Sequence, residues 1–150
     1  VFQGVPVAAM IRLPTSRSGG KANLHQGAIG VGINLATGKT THAVIGNHAT
    51  TTHPDTAHVI NDLQIPKWQK ILKIAIRCAD TVGLGYLGVD VVLDSELGPL
   101  MLELNARPGL NVQLANQQGL HRNLVKVEQL DKIPQSIDER IALSETFLLN

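Results

Sequence analysis

Aromatic residues are scarce in this 150-residue chain: two Phe, one Tyr and one Trp, 3% in all. Recognition of nucleic-acid bases by stacking on exposed rings therefore has little to work with. Charge of one sign is equally lacking, since thirteen Lys and Arg stand against twelve Asp and Glu for a net charge of +1. A nucleic-acid partner, normally met by a strong basic excess, is not expected. The lone Cys78 excludes a disulfide framework within the chain. No apolar run approaches the roughly 18–20 residues of a membrane helix, so no membrane partner is expected either. The opening Val1-Phe2-Gln3-Gly4 has no charged segment backed by an apolar one. No signal peptide is expected, and a cytoplasmic location follows. The chain also lacks an initiating Met, as a piece of something larger would. What it does contain is 43% hydrophobic and 17% charged. That is enough to bury a real core, and the length suits one domain over residues 1–150.

Gly4 to Leu13 reads as a turn and then a strand dense in branched apolar residues. Pro14 and the polar run Thr15-Ser16-Arg17-Ser18-Gly19-Gly20 break it into a mobile loop. An apolar stretch resumes from Gly27 to Leu35, Ala36–Lys39 forms a turn, and Thr40–Ile45 returns as a strand. The polar, His-rich segment from Asn47 to Asp55 reads as loop. A helix begins near Pro66, with Trp68, Ile71, Leu72, Ala75, Cys78, Ala79 and Val82 on its apolar stripe and Gly83 as its stop. Lys70, Lys73 and Arg77 form its wet face, and Cys78 is a packing residue. Two strands follow, Gly88–Leu93 and Leu100–Asn105, joined by the loop Asp94–Pro99. A helix runs from Asn111 to about Gln118. The last helix opens on the capping box Ser136-Ile137-Asp138-Glu139 and carries Ile137, Ile141 and Leu148 on one side. The sum is an α+β fold, an antiparallel sheet with helices packed on one side.

The chemistry-bearing residues lie in the second hairpin. Strand alternation puts Glu103 and Asn105 on one face, and a pairing of Asp90 with Glu103 centres on the predicted loop. Asp90 then joins that face, while Val89, Val91, Leu102 and Leu104 point to the core. Adjacent carboxylates repel, and one pKa rises unless a cation lies between them. Oxygen-only ligands favour a hard ion, Mg²⁺ or Mn²⁺, which completes its shell with water and substrate phosphates. Beyond Asn105 comes Ala106-Arg107-Pro108-Gly109-Leu110, where a strand ends and a helix begins. Backbone N–H groups there, with Arg107 beside them, make a place for an anionic oxygen.

Tyr86–Leu93 followed by Gly98–Leu110 resembles the C-terminal metal-binding hairpin of ATP-grasp ligases, closest in flavour to RimK-type α-L-glutamate ligases and more distantly to glutathione synthetase. Ala8-Ala9-Met10-Ile11-Arg12 and Lys21-Ala22-Asn23-Leu24-His25-Gln26-Gly27 resemble that family's strand and substrate loop. The resemblance implies the C-terminal half of an ATP-grasp fold, with the N-terminal nucleotide-binding part absent from this chain. It implies that Asp90, Glu103 and Asn105 hold two Mg²⁺ ions bridging the ATP phosphates. Arg12 would steady the transferred group, and Lys21 and Asn23 would lie on the loop closing over it. The implied reaction activates a carboxylate as its acyl-phosphate and passes the acyl group to an amino acid or other amine. The implied partners are ATP, those two substrates and the rest of the ATP-grasp domain; alone, the chain should be inactive and bind Mg-ATP weakly.

Two positions depart from the family pattern: Lys21 stands where Arg is usual, and Ala28 where a second Gly is. Lysine keeps the charge and loses the planar fork. Arg107, where RimK-type enzymes often have a small residue, could supply it and so joins Arg12 as a catalytic candidate. Gly32 to Thr40 has five residues between its glycines, and a strand follows, so it is no phosphate loop. His42, His48, His53 and His58 lack helical spacing and a nearby cysteine, which sets zinc aside. His25 reads as a surface or substrate-contacting residue, and Trp68 and Tyr86 as core or boundary. The alternative within the same superfamily is a non-catalytic relative that binds nucleotide or a peptide as a regulatory module. A purely structural module with a solvated acidic face is a third reading.

Overall fold

A computed structural model describes residues 1–147. Strand β1 (Ala9–Leu13), β2 (Ile29–Ile33), β3 (Thr40–Ile45) and β4 (His48–Thr50) form an antiparallel sheet in that order. The meander follows from short connections, which leave consecutive strands nowhere to go but alongside one another. β2 is buried along its whole length, and Ile29, Val31, Ala43 and Ile60 make the core, with Ile11, Leu13 and Ile45 packed against it. Helix α2 (Asn111–Asn116) lies on this sheet. Its approach requires Gly32, because a Cβ there would sit 2.6 Å from the Ala115 carbonyl and from Asn116 Oδ1. The Asn116 amide donates to the Ala9 carbonyl at 2.9 Å and to the Val112 carbonyl at 2.8 Å, tying helix to edge strand.

These elements form one compact unit, Ala8–Ile65 with Leu110–Gly119; Val1–Val7, Pro66–Gly109 and the chain from Leu120 form a second. The second unit holds α1 (Trp68–Val82), the hairpin β5 (Gly88–Asp94) and β6 (Gly98–Asn105), α3 (His121–Glu128) and α4 (Ile137–Glu145). The predicted α1 and its Gly83 stop are present. Its buried stripe is Trp68, Leu72, Ile76 and Ala79, centred on Ile76, so Val82 is left 41% exposed and Cys78 half-buried. Helix α1 lies against both hairpin strands and against α4. Lys73 is not simply solvated: its ammonium meets Asp138 of α4 at 2.9 Å. Arg140, also on α4, is buried and grips Asp80 with two bonds of 2.6 and 2.7 Å. Ser136 caps α4 as predicted, Glu139 N–H donating to its Oγ at 3.2 Å, while the Glu139 carboxylate takes its return bond from the Ser136 hydroxyl at 2.7 Å. Ile141 is buried as expected, and the predicted partner Leu148 lies outside the described residues.

The α+β class and the antiparallel strands are as the sequence predicts, with three differences. β4 occupies part of the expected Asn47–Asp55 loop. α3 appears where no element was predicted, anchored by buried Asn123 and Val127. α2 stops at Asn116, two residues short of the expected end, because Gln117 turns left-handed at φ 51°.

Candidate active site

The hairpin begins from its turn. Asp94 Oδ1 accepts from Glu96 N–H at 2.9 Å and Leu97 N–H at 2.8 Å, and Gly98 adopts φ +81°. These bonds hold the Asp94 carboxyl below its ordinary value. The strands consequently run further than predicted, and Asp94 pairs with Gly98 across a loop of only Ser95–Leu97. In an unbroken ladder that turn would set Asp90 opposite Leu102. A bulge intervenes between Asp90 and Val91, so that Asp90 pairs with Glu103 while Val91 pairs with Met101. The extra residue, Leu102, is 64% exposed rather than buried in the core. Val89, Val91 and Leu104 are half-buried. The predicted pairing is therefore correct, and the bulge produces it rather than a symmetrical loop.

Gly88 pairs with Asn105, so Asp90, Glu103 and Asn105 share a face. Asp90 is half-buried; Glu103 and Asn105 are exposed. Asn105 Oδ1 accepts from Arg107 N–H at 2.9 Å, which folds the chain back after β6. Pro108 then lies so close to Gly88 that a Cβ there would come within 2.8 Å of it. Gly88 thus lets the Asn105–Pro108 turn seat against β5. Among the described residues no group of three His, Cys, Asp or Glu side chains could hold a metal. The hairpin offers two carboxylates and an amide, and those oxygen donors fit a hard divalent ion that keeps waters or phosphate oxygens as further ligands. The helix that follows is α2, six residues long, with no side-chain cap bond at Leu110. Arg107 is exposed at this end of the hairpin.

The other predicted residues belong to the sheet unit. Arg12 is on β1 opposite Gly30. Asn23 caps the 3₁₀ turn Leu24–Gln26, its Oδ1 accepting from His25 N–H at 3.0 Å, and Lys21 is exposed on the same loop. Sequence reasoning missed what fixes that loop. Thr15 and Ser18 are buried in a hydrogen-bonded turn at its base, so the loop expected to be mobile from Thr15 is anchored there. Hydroxyl-bearing residues in a Gly-rich stretch were the available signal.

A family model described as sugar-transfer associated ATP-grasp matches residues 1–129. The chain belongs to that ATP-grasp family. It is also 36% identical over 72 residues to the probable alpha-L-glutamate ligase 2 of Shewanella denitrificans, a match covering 48% of this chain and 21% of that protein. To the probable alpha-L-glutamate ligase of Citrobacter koseri it is 55% identical over 38 residues, 25% of this chain and 12% of that protein. This ATP-grasp chain thus matches only about a fifth or less of the length of these curated relatives. No solved structure matches it.

Proposed function

We propose that this chain is the Mg-phosphate and substrate-loop part of an ATP-dependent carboxylate–amine ligase, like the α-L-glutamate ligases it resembles. The observation that carries the reading is the register: Asp90, Glu103 and Asn105 on one face, with Arg107 two residues on. Magnesium or manganese bound to Asp90, Glu103 and Asn105 would offset the charge of the ATP phosphates. Arg12 and Arg107 would stabilise the phosphoryl group and the acyl-phosphate, and Lys21 and Asn23 would hold the substrate. In the reaction a carboxylate oxygen bonds to the γ-phosphorus of ATP as the bond to ADP breaks. The amine nitrogen then bonds to the acyl carbon, phosphate departs, and the nitrogen gives up its proton.

The remaining ATP-grasp domain would close on this hairpin, whose Leu97 and Leu102 are 66% and 64% exposed. This chain alone is expected to bind Mg-ATP weakly and to turn nothing over. No helix among the described residues is long and apolar enough to cross a membrane, and we place the reaction in the cytoplasm.

Glu103→Gln in the full-length protein tests the assignment. The expected result is loss of ATP-dependent amide formation by about a thousandfold or more, with an unchanged melting temperature and no Mg²⁺-dependent rise in it. A variant that keeps both turnover and the Mg²⁺ response would remove the reading.

A further inference from the structure

The loop joining β1 to β2 carries Lys21 and Asn23, and three sets of hydrogen bonds hold its base. Thr15 N–H donates to Ser18 Oγ at 2.9 Å, and Ser18 Oγ–H returns a bond to the Thr15 carbonyl at 2.9 Å. The Thr15 hydroxyl donates to the Gly27 carbonyl at 2.9 Å, closing the loop on itself. The third set comes from the segment after β4. Ser16 N–H and Oγ–H donate to the two Asp55 oxygens at 2.7 and 2.5 Å. His53 Nε2 lies 2.9 Å from the Pro14 carbonyl. A carbonyl can only accept, so Nε2 carries the proton there, and Nδ1 accepts from Asp55 N–H at 3.3 Å. His53 and Asp55 thus brace each other while each grips the loop.

Beyond this base the loop is held by its own backbone, with Gly19, Gly20 and Lys21 N–H donating to the Ser16, Thr15 and Ser18 carbonyls at 3.0, 3.1 and 3.3 Å. Gly19 and Gly20 have φ of +62° and +76°, with nothing within 4 Å of where a Cβ would be. Lys21 and Ala22 are exposed. A base clamped from the segment after β4 and a turn folded on its own backbone leave less of the loop to order when a ligand meets Lys21 and Asn23, which lowers the cost of binding.

We infer that His53 and Asp55 are positioning residues for the substrate loop: they fix its base, so that Lys21 and Asn23 are presented from a rigid mount. This rests on the reading of Lys21 and Asn23 given above. The hydrogen bonds from Ser16 also hold the Asp55 carboxyl below its ordinary value, in keeping with a charged acceptor.

Trypsin reads the clamp directly, because Arg17 and Lys21 lie in the loop. In the full-length protein, Asp55→Ala and Ser16→Ala should each raise cleavage after these residues about tenfold, and the double variant no further. Asp55→Glu should recover part of the protection. Asp62→Asn, which removes the exposed ion pair with Lys39 and suits the left-handed φ of 64° at that position, should change nothing. Unchanged cleavage in both Asp55→Ala and His53→Ala overturns the clamp and leaves the ligase reading standing. Mg-ATP serves as the probe of positioning: it should protect Lys21 in the wild-type protein, and Asp55→Ala should need roughly fivefold more for half-protection. A loosened loop with an unaltered Mg-ATP dependence overturns the positioning role alone. No Mg-ATP protection in the wild-type protein removes the substrate-loop reading, and the positioning role with it.

Discussion

Every residue of β2 is buried, whereas on β6 only Gly98 and Pro99 are. β2 has β1 and β3 on either side and α2 packed on its sheet, so its apolar residues are removed from water within their own unit. The β5–β6 hairpin has two strands and leans on α1. A two-stranded ribbon is marginal by itself, and Met101 and Leu102 remain 47% and 64% exposed. The first sheet is therefore a folding core. The second is a mount that displays carboxylates, and it depends on α1, which lies against both its strands. The two should answer substitution in opposite ways.

The largest stability effect belongs to the core. Ile29→Ala, at a site with no solvent exposure, should cost about 3 kcal/mol in urea unfolding, the usual loss for emptying a buried aliphatic site. Glu103→Gln on the exposed hairpin face should shift the same measurement by less than about 0.5 kcal/mol. Equal losses at the two sites would erase the distinction between core and mount.

In the hairpin's own unit the sensitive point is the Asp80–Arg140 pair. Arg140 is 7% exposed and Asp80 48%, so Asp80→Ala strands a buried guanidinium whose former partner was half in water. The expected loss is about 2 kcal/mol, below the ~3–5 kcal/mol of a fully buried pair. Arg140 holds the Asp80 carboxyl below its ordinary 3.8, chiefly through their hydrogen bonds. A depressed folded pKa means the unfolded chain takes up the proton first. The contribution is therefore complete above the ordinary value and disappears as pH falls through the folded one. Melting temperature should drop with pH in that acidic window, and more gently in Asp80→Ala.

How much of this was legible in the sequence depended on distance along the chain. α1, the Ser136 N-cap and the alternation of Glu103 with Asn105 are local patterns, and each is present. The pairing of Asp90 with Glu103 was also readable, because a hairpin folds about its own loop. The bulge was not, since nothing in Met101-Leu102-Glu103 marks which residue goes unpaired. β4 is three residues at a sheet edge, too short for alternation to show. The grips of Asp55 on Ser16 and of Arg140 on Asp80 join residues 39 and 60 positions apart. No periodicity records a contact of that kind; only the folded chain brings those partners together.

The smallest effect on folding is expected at the bulge itself. Leu102 has no partner across the ladder and is largely in water, so Leu102→Gln should alter the stability of this chain by less than about 0.5 kcal/mol. If the rest of the ATP-grasp domain closes on this hairpin, the same substitution should weaken Mg-ATP binding by the full-length protein several-fold, because a polar side chain would then be enclosed. Urea unfolding of the chain and calorimetry on the full-length protein read the two effects separately. A Leu102→Gln variant that binds Mg-ATP like the wild type would leave Leu102 as surface that nothing covers. The exposed apolar residues would then lose their meaning as a closing face, while the metal-site assignment, which rests on the neighbouring carboxylates, would stand.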